Sequence, residues 1–443
     1  HQGLLLCIAF LILVYSASVG VRLAEAPHWQ GKSSLEVSGE KLQATHDAYT
    51  WLADAKGTGR HPDSAMGHIT RLAQAVSRAQ YGNIGFWLPA FVAPLAVIPF
   101  VLLGWRWRLE EGALPAGILA ASCQGFLLRS RLGFYDTDIL SLFFPLLICV
   151  LLIFVFSPYL RSGWPRSAEQ GKELQPKAWR AFLLQCLGIG LVSWSYMWFY
   201  NKSPILLSTL AAMAFCLLVL SRSWWRAGYL AVGILLVQAV AFGGWIGLVT
   251  AAVFICLILY WPRISIDWRY FASYLAVFAC IVFLETELAG QVMGMAQKVL
   301  DYAKILPATE ESGLSLPTVQ QSIREAQSID WNSLVSRIAG SWFVFIPAIL
   351  GLAYVIWCYP ATLVFLPMLG LSIFSFKLGN RFTMYGGPVI GLGLGFGAAL
   401  VLWRTGLAKS VRVLCLVAIA VLVMLPIWDM ATQLRPAPVV SKT

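Results

Sequence analysis

Charge is what this sequence has least of. Only 12% of its 443 residues are Asp, Glu, Lys or Arg, while 59% are hydrophobic. Soluble domains carry roughly 25% charged and 45–50% apolar residues, so the shortage excludes a chain that covers itself in water. Acids are scarcer than bases, 21 against 32, which leaves a formal net charge of +11. Glycine, at 37, and proline, at 21, are too few for a collagen-like or low-complexity polymer. The long polar loops lack cysteine: all nine, from Cys7 to Cys415, fall inside or at the edge of apolar blocks. They read as small packing residues, with no disulfide framework or thiolate metal site. What survives these exclusions is an all-α polytopic membrane protein.

Apolar windows able to cross a bilayer of about 30 Å number thirteen. They are 3–21, 86–105, 113–128, 139–159, 181–200, 204–220, 227–241, 245–260, 270–284, 342–357, 361–376, 389–403 and 411–428. Many end in Trp or Tyr, as interfacial belts do. The first window reads as an uncleaved span and not a signal peptide, because the membrane pattern continues behind it. An odd number of spans puts the termini on opposite faces. Loops on one face hold 14 Lys and Arg against 5 Asp and Glu, nearly the whole net charge; by the positive-inside rule that face is cytoplasmic. The basic balance is thus a topology signal, and nucleic acid is not an expected partner.

Two long segments, 22–85 and 285–341, fall on the outer face. Loops of that size in a compact bundle are usually functional. The first holds His28, His46, His61 and His68 with a helical patch at 65–79; the second has a Pro/Gly/Glu-rich stretch, 305–317, before a more regular 318–337.

Acids beside hydrocarbon cost roughly 2.5–3.5 kcal/mol each at a span centre, so those near span ends need a reason. Three sets lie on the outer face: Asp47, the pair Asp136 and Asp138 just before the fourth window, and Glu325. Two carboxylates one residue apart point the same way on an extended segment, and such hard oxygen ligands suit Mg2+ or Mn2+. The bland alternative for the pair is a helix N-cap with first-turn acids; for Asp47 and Glu325 it is an ordinary solvated loop charge. Arg129, Arg131, Lys202 and Arg381 sit close to the same face. They either snorkel at the interface or bind a diphosphate, for which arginine forks are well shaped. Metal-binding carboxylates and phosphate-binding arginines beside lipid point to a polyprenyl-phosphate or polyprenyl-diphosphate donor.

Four strings carry a family resemblance. Gly133-Phe134-Tyr135-Asp136-Thr137-Asp138-Ile139-Leu140, Ser322-Ile323-Arg324-Glu325, Arg337-Ile338-Ala339-Gly340-Ser341 and Asn380-Arg381-Phe382-Thr383-Met384-Tyr385 resemble, in the same order, the signatures of bacterial single-subunit oligosaccharyltransferases of the PglB type. The resemblance implies a GT-C type fold of about 13 spans with two large external loops. It implies a metal-dependent, inverting transfer of a glycan from a polyprenyl-diphosphate lipid to the Asn of an Asp/Glu-x-Asn-x-Ser/Thr sequon.

Carried over by residue, it implies that Asp47, Asp136, Asp138 and Glu325 form the metal set, with Mn2+ or Mg2+ as cofactor and Arg129 in support. Asp47 and Glu325 would activate the acceptor amide. Arg381, Lys202 and Ser203 would hold the donor diphosphate, and Arg337 with Glu325 the acceptor peptide. A monomer in a bacterial inner membrane, with its active site on the periplasmic face, is the implied setting.

Two departures stand out. Ser322 replaces the family's usual Thr. The family's Trp-Trp-Asp-Tyr-Gly motif belongs to a C-terminal soluble domain, so residues 1–435 are expected to be the transmembrane catalytic domain and 436–443 the start of that further domain. Trp224-Trp225-Arg226 is a decoy without the Asp, on the wrong face. Another polyprenyl-phosphate-sugar transferase would explain the first-loop acid, but not Ser322–Glu325 together with Arg337. A transporter of lipid-linked anions would be expected to show an internal repeat and midplane charges.

Overall fold

The computed structural model describes residues 2–160, 176–200, 204–221, 224–260, 268–302 and 329–438. Among them the architecture is helical, apart from a two-stranded antiparallel hairpin, Glu36–Val37 with Glu40–Lys41. Among the described residues seven helices are long and apolar enough to cross a membrane, or up to nine if each of two bent helix pairs is one span. The thirteen windows differ from this count for physical reasons visible in three places. Window 113–128 breaks at extended Cys123 into Ala113–Ser122 and Gln124–Leu127. Window 361–376 is split into a 3-10 turn, Pro360–Phe365, and two short helices, Leu366–Ile373 and Ser375–Leu378.

The third difference runs the other way. Windows 227–241 and 245–260 fall in one continuous apolar stretch, Arg226–Tyr260, which is interrupted at Gly244 with φ 58° and ψ −128°. The chain reverses there. A Cβ at Gly247 would lie 1.8 Å from the Ala239 carbonyl oxygen, whereas eight residues of straight helix span about 12 Å. The first arm packs Tyr229 on Phe271 at 4.1 Å, and the returning arm packs Phe254 on Phe278 at 4.2 Å. The stretch is therefore two antiparallel arms lying against Trp268–Glu285.

The centre of the bundle is the helix Gly386–Arg404, buried along almost all of its length. Its glycines serve two neighbours. A Cβ at Gly391 would sit 2.7 Å from the Ala116 carbonyl, and one at Gly395 2.2 Å from that of Gly112, on the Ala113–Ser122 side. One at Gly393 would sit 2.1 Å from the Ala348 carbonyl, and one at Gly397 2.5 Å from the Gly351 Cα, on the Trp342–Cys358 side. Lipid provides no hydrophobic drive to bring helices together, so close backbone approach supplies it through dispersion.

The first long loop is pinned to the bundle by backbone. Ser38 and Gly39 both have positive φ, 52° and 81°, the requirement of a tight hairpin turn. Asn83 donates to the Gly39 carbonyl at 3.0 Å, and Gln43 to that of Gly82 at 2.9 Å. The Ala44 amide then donates to Gly133 at 2.8 Å, and the Gly133 amide to Phe86 at 3.0 Å. At Gly133, with φ 72°, a Cβ would meet the Ala44 nitrogen at 3.2 Å, so glycine is what permits the junction. Two helices follow, His46–Ala55 and Ala65–Ser77, the second capped by Ser64.

Candidate active site

The junction at Gly133 carries Asp47 to the paired aspartates. Asp47 lies in the first turn of His46–Ala55 and is exposed. One turn later on the same face, the Trp51 indole donates to Asp136 Oδ1 at 3.1 Å. Between them and the bundle sits Tyr135, fully buried. Its hydroxyl is 2.6 Å from Thr70 Oγ1 and donates to the Met66 carbonyl at 3.2 Å. The loop helices and the 133–138 segment therefore hold each other in register.

Asp136 is 5% exposed. Its Oδ1 also accepts from the Thr137 amide at 2.7 Å, and its Oδ2 faces Arg129 at 4.0 Å. Burial, and then the Asp138 charge, push the Asp136 carboxyl up to about 6; Arg381 opposes this and Asp47 adds to it. A buried carboxylate repelled by two others has its charged form destabilised. That is the condition a bound cation relieves.

Asp138 is fully buried and answered on both oxygens. Arg129 Nε bonds Oδ2, and an Arg381 guanidinium nitrogen lies 3.1 Å from Oδ1. The carboxylate read as a metal ligand is thus the anchor of two guanidinium groups. Arg381 is also stacked 5.8 Å from the Tyr200 ring, and Arg129 5.2 Å from Phe134. Arg381 itself sits on the 3-10 segment Asn380–Tyr385, which abuts Gln124–Leu127 so closely that a Cβ at Gly125 would be 2.7 Å from Thr383 Oγ1.

Arg337 lies in the last turn of Trp331–Ala339, capped by the Asp330 side chain. That helix packs beside the Arg381 segment: Ile338 borders Gly386, Ser336 donates to Gln124 at 3.2 Å, and Trp331 meets Phe376 at 4.5 Å. Glu325, Lys202 and Ser203, with the stretches 305–317 and 318–328, lie outside the described residues. Among the described residues no three His, Cys, Asp or Glu side chains gather closely enough to hold a metal ion. Asp138 is taken by the arginines, which leaves Asp47 and Asp136.

Sequence reasoning missed Trp51, whose signal was its spacing of four from Asp47. It also missed the diversion of Arg131 to Glu25, at 3.0 Å, and of fully buried Arg22 to the carbonyls of Ser130 and Ala121 at 3.0 and 2.7 Å. No local pattern announces either.

Fold and site together define a multi-pass helical membrane protein with paired carboxylates and arginines at one end of its bundle. The chain belongs to the oligosaccharyl transferase STT3 family, whose N-terminal family model matches residues 66–435. It is 22% identical over 374 residues to the undecaprenyl-diphosphooligosaccharide–protein glycotransferase of Campylobacter jejuni serotype O:2, covering 82% of this chain and 48% of that one. A second strain of that species gives 22% over 370 residues. This chain therefore spans about half the length of those relatives. Its fold resembles the archaeal oligosaccharyltransferase AglB from Archaeoglobus fulgidus, solved with an inhibitory peptide and a dolichol-phosphate, with a TM-score of 0.61 and 17% identity. That likeness covers 96% of this chain and 55% of the archaeal one. The same archaeal enzyme complexed with Zn and sulfate gives 0.55, and tethered to an acceptor peptide containing an NVT sequon gives 0.59.

Proposed function

We propose that this chain is the catalytic membrane part of an oligosaccharyltransferase that moves a glycan from a polyprenyl-diphosphate lipid to the Asn of an Asp/Glu-x-Asn-x-Ser/Thr sequon, inverting the anomeric carbon. The observation that carries the reading is Asp138 holding Arg129 and Arg381 together beside Asp136, on which Trp51 from the Asp47 helix converges. Family membership and the relatives' names point the same way.

The donor set fits a divalent cation. Asp136 is pushed up by burial and then by like charges, and hard carboxylate oxygens suit Mg2+ or Mn2+. Asp47, Asp136 and Glu325 would hold the ion, which would supply Lewis-acid stabilisation to the departing diphosphate. The archaeal neighbour solved in complex with Zn and sulfate supports a divalent metal on this fold. Asp138 serves as a positioning residue for Arg381, whose planar fork binds the diphosphate, with Lys202 and Ser203 beside it.

An Asn nitrogen is a weak nucleophile because its lone pair is delocalised into the carbonyl. Hydrogen bonds from that NH2 to Asp47 and Glu325 orient it and weaken the conjugation, so that it attacks the sugar carbon opposite the leaving group. Arg337 pairs with the acid two residues before the Asn. The setting we propose is a bacterial inner membrane, active on the periplasmic face, as a monomer.

The test is the full-length protein with an undecaprenyl-diphosphate-linked glycan, Mn2+ and a labelled Asp-x-Asn-x-Thr peptide. Asp47→Ala, Glu325→Ala, Arg381→Ala and the double Asp136→Ala with Asp138→Ala are each expected to cut transfer at least roughly a hundredfold, with membrane insertion intact. Unchanged turnover in all four removes the proposal.

A further inference from the structure

The far end of the bundle holds a second site. The stretch Asp138–Tyr159, 22 residues long, starts at the carboxylates and ends roughly 33 Å away at 1.5 Å per residue. There Ser157, Pro158 and Leu160 form one wall of a cavity of about 290 Å3, closed by Ile153, Pro360 and Ala361. Arg106 and Arg108 reach it from the end of Ile98–Trp107. Trp107 between them is stacked flat on Tyr359 at 4.4 Å and 9°. Arg404 stands alongside, 5.1 Å over Tyr354 and 3.7 Å from the Cys358 sulfur.

Among the described residues the charges here are unbalanced. Both Arg106 and Arg108 are exposed, and among the described residues neither side chain has a carboxylate partner. The nearest acids in sequence are already engaged: Glu110 by Lys409 at 2.8 Å and Glu111 by Arg412 at 3.2 Å. Among the described residues no acid lines the cavity. Three helices, Ile98–Trp107, Phe143–Phe156 and Trp342–Cys358, end their C-termini here, which favours cations. Yet neither arginine donates a side-chain hydrogen bond to those carbonyls, so helix capping does not account for the pair.

An apolar slot between helix ends, rimmed by guanidinium groups that have no carboxylate partner among the described residues, is complementary to one ligand class. We propose that it binds an anionic glycerophospholipid, with the headgroup phosphate on Arg106 and Arg108 and the start of an acyl chain along Ile153, Leu160 and Pro360. This site is independent of the transfer chemistry at the other end.

The test uses the full-length protein in neutral detergent, titrated with phosphatidylglycerol or phosphatidylcholine and read by native mass spectrometry. Phosphatidylglycerol is expected to bind at one preferred site, and Arg106→Gln with Arg108→Gln to weaken it roughly thirtyfold. Arg180→Gln, which removes an exposed base elsewhere on that face, is expected to leave it unchanged. The thermal shift of the unsubstituted protein needs no variant: phosphatidylglycerol should raise its unfolding midpoint more than phosphatidylcholine does. Equal shifts by the two lipids overturn the proposal, as does equal weakening by Arg180→Gln, which would mean a generic basic surface.

Discussion

At the scale of single residues the decisive feature is that one carboxylate serves two cations. Asp138 is fully buried between Arg129 and Arg381, so removing its charge takes from both guanidinium groups the carboxylate they share. Breaking a buried pair from one side costs about 3 kcal/mol or more. Asp138→Asn is therefore expected to lower the thermal unfolding midpoint of the purified protein as well as its transfer rate. Asp47→Ala, on an exposed turn, is expected to spare the midpoint. Trp51→Phe separates positioning from folding. It keeps an aromatic side chain and deletes the donor to Asp136 Oδ1, a bond to a charged group of about 1.5 kcal/mol; transfer should drop roughly tenfold, a larger loss than the accompanying fall in stability. An equal loss of stability would show that Trp51 acts in packing alone.

The acids and arginines themselves were legible in the sequence, because a charge near hydrocarbon is costly and stands out. Their division of labour was not. Asp136 and Asp138 differ by one position and look equivalent in the string; only the surroundings give one a Trp and an amide and the other two arginines.

At the scale of elements, close helix packing decides the geometry of the site. Gly386–Arg404 fixes the height of the Arg381 segment that leads into it. A methyl at Gly393 would stand 2.1 Å from the Ala348 carbonyl, backbone that cannot swing aside. Gly393→Ala should cost about 2 kcal/mol by overpacking, seen as a lower unfolding midpoint in detergent. Gly370→Ala, where a Cβ meets nothing within 4 Å, is the control expected to be neutral. Hydropathy found the apolar blocks but not the breaks inside them. It measures composition over a window, and a break such as that at Cys123 costs a window nothing. The reversal at Gly244 is the opposite case: two arms were separable in sequence at Gly243-Gly244, and the backbone needed glycine there to turn.

At the scale of the whole molecule, the two ends of the bundle carry opposite chemistries. Carboxylates and their arginines lie at one end, and Arg106, Arg108, Arg404 and Lys409 at the other. On positive-inside sorting we propose that the first end is external. A single cysteine at Gly57, in the loop after the Asp47 helix, should react with a membrane-impermeant maleimide on intact cells, while one at Gly406 should react only after permeabilisation, both in a background without exposed Cys256 and Cys280. The same labelling at both positions would overturn the orientation.

By itself the sequence determined the membrane class and the inventory of costly charges. Those follow from composition and from the price of charge next to lipid, which are local. Only the tertiary structure decided which charges meet. Asp138 and Arg381 lie 243 residues apart, and their pairing depends on glycines that let helices touch and on a backbone bond from Ala44 to Gly133. A through-space interaction falls off with distance in the fold and is blind to distance along the chain.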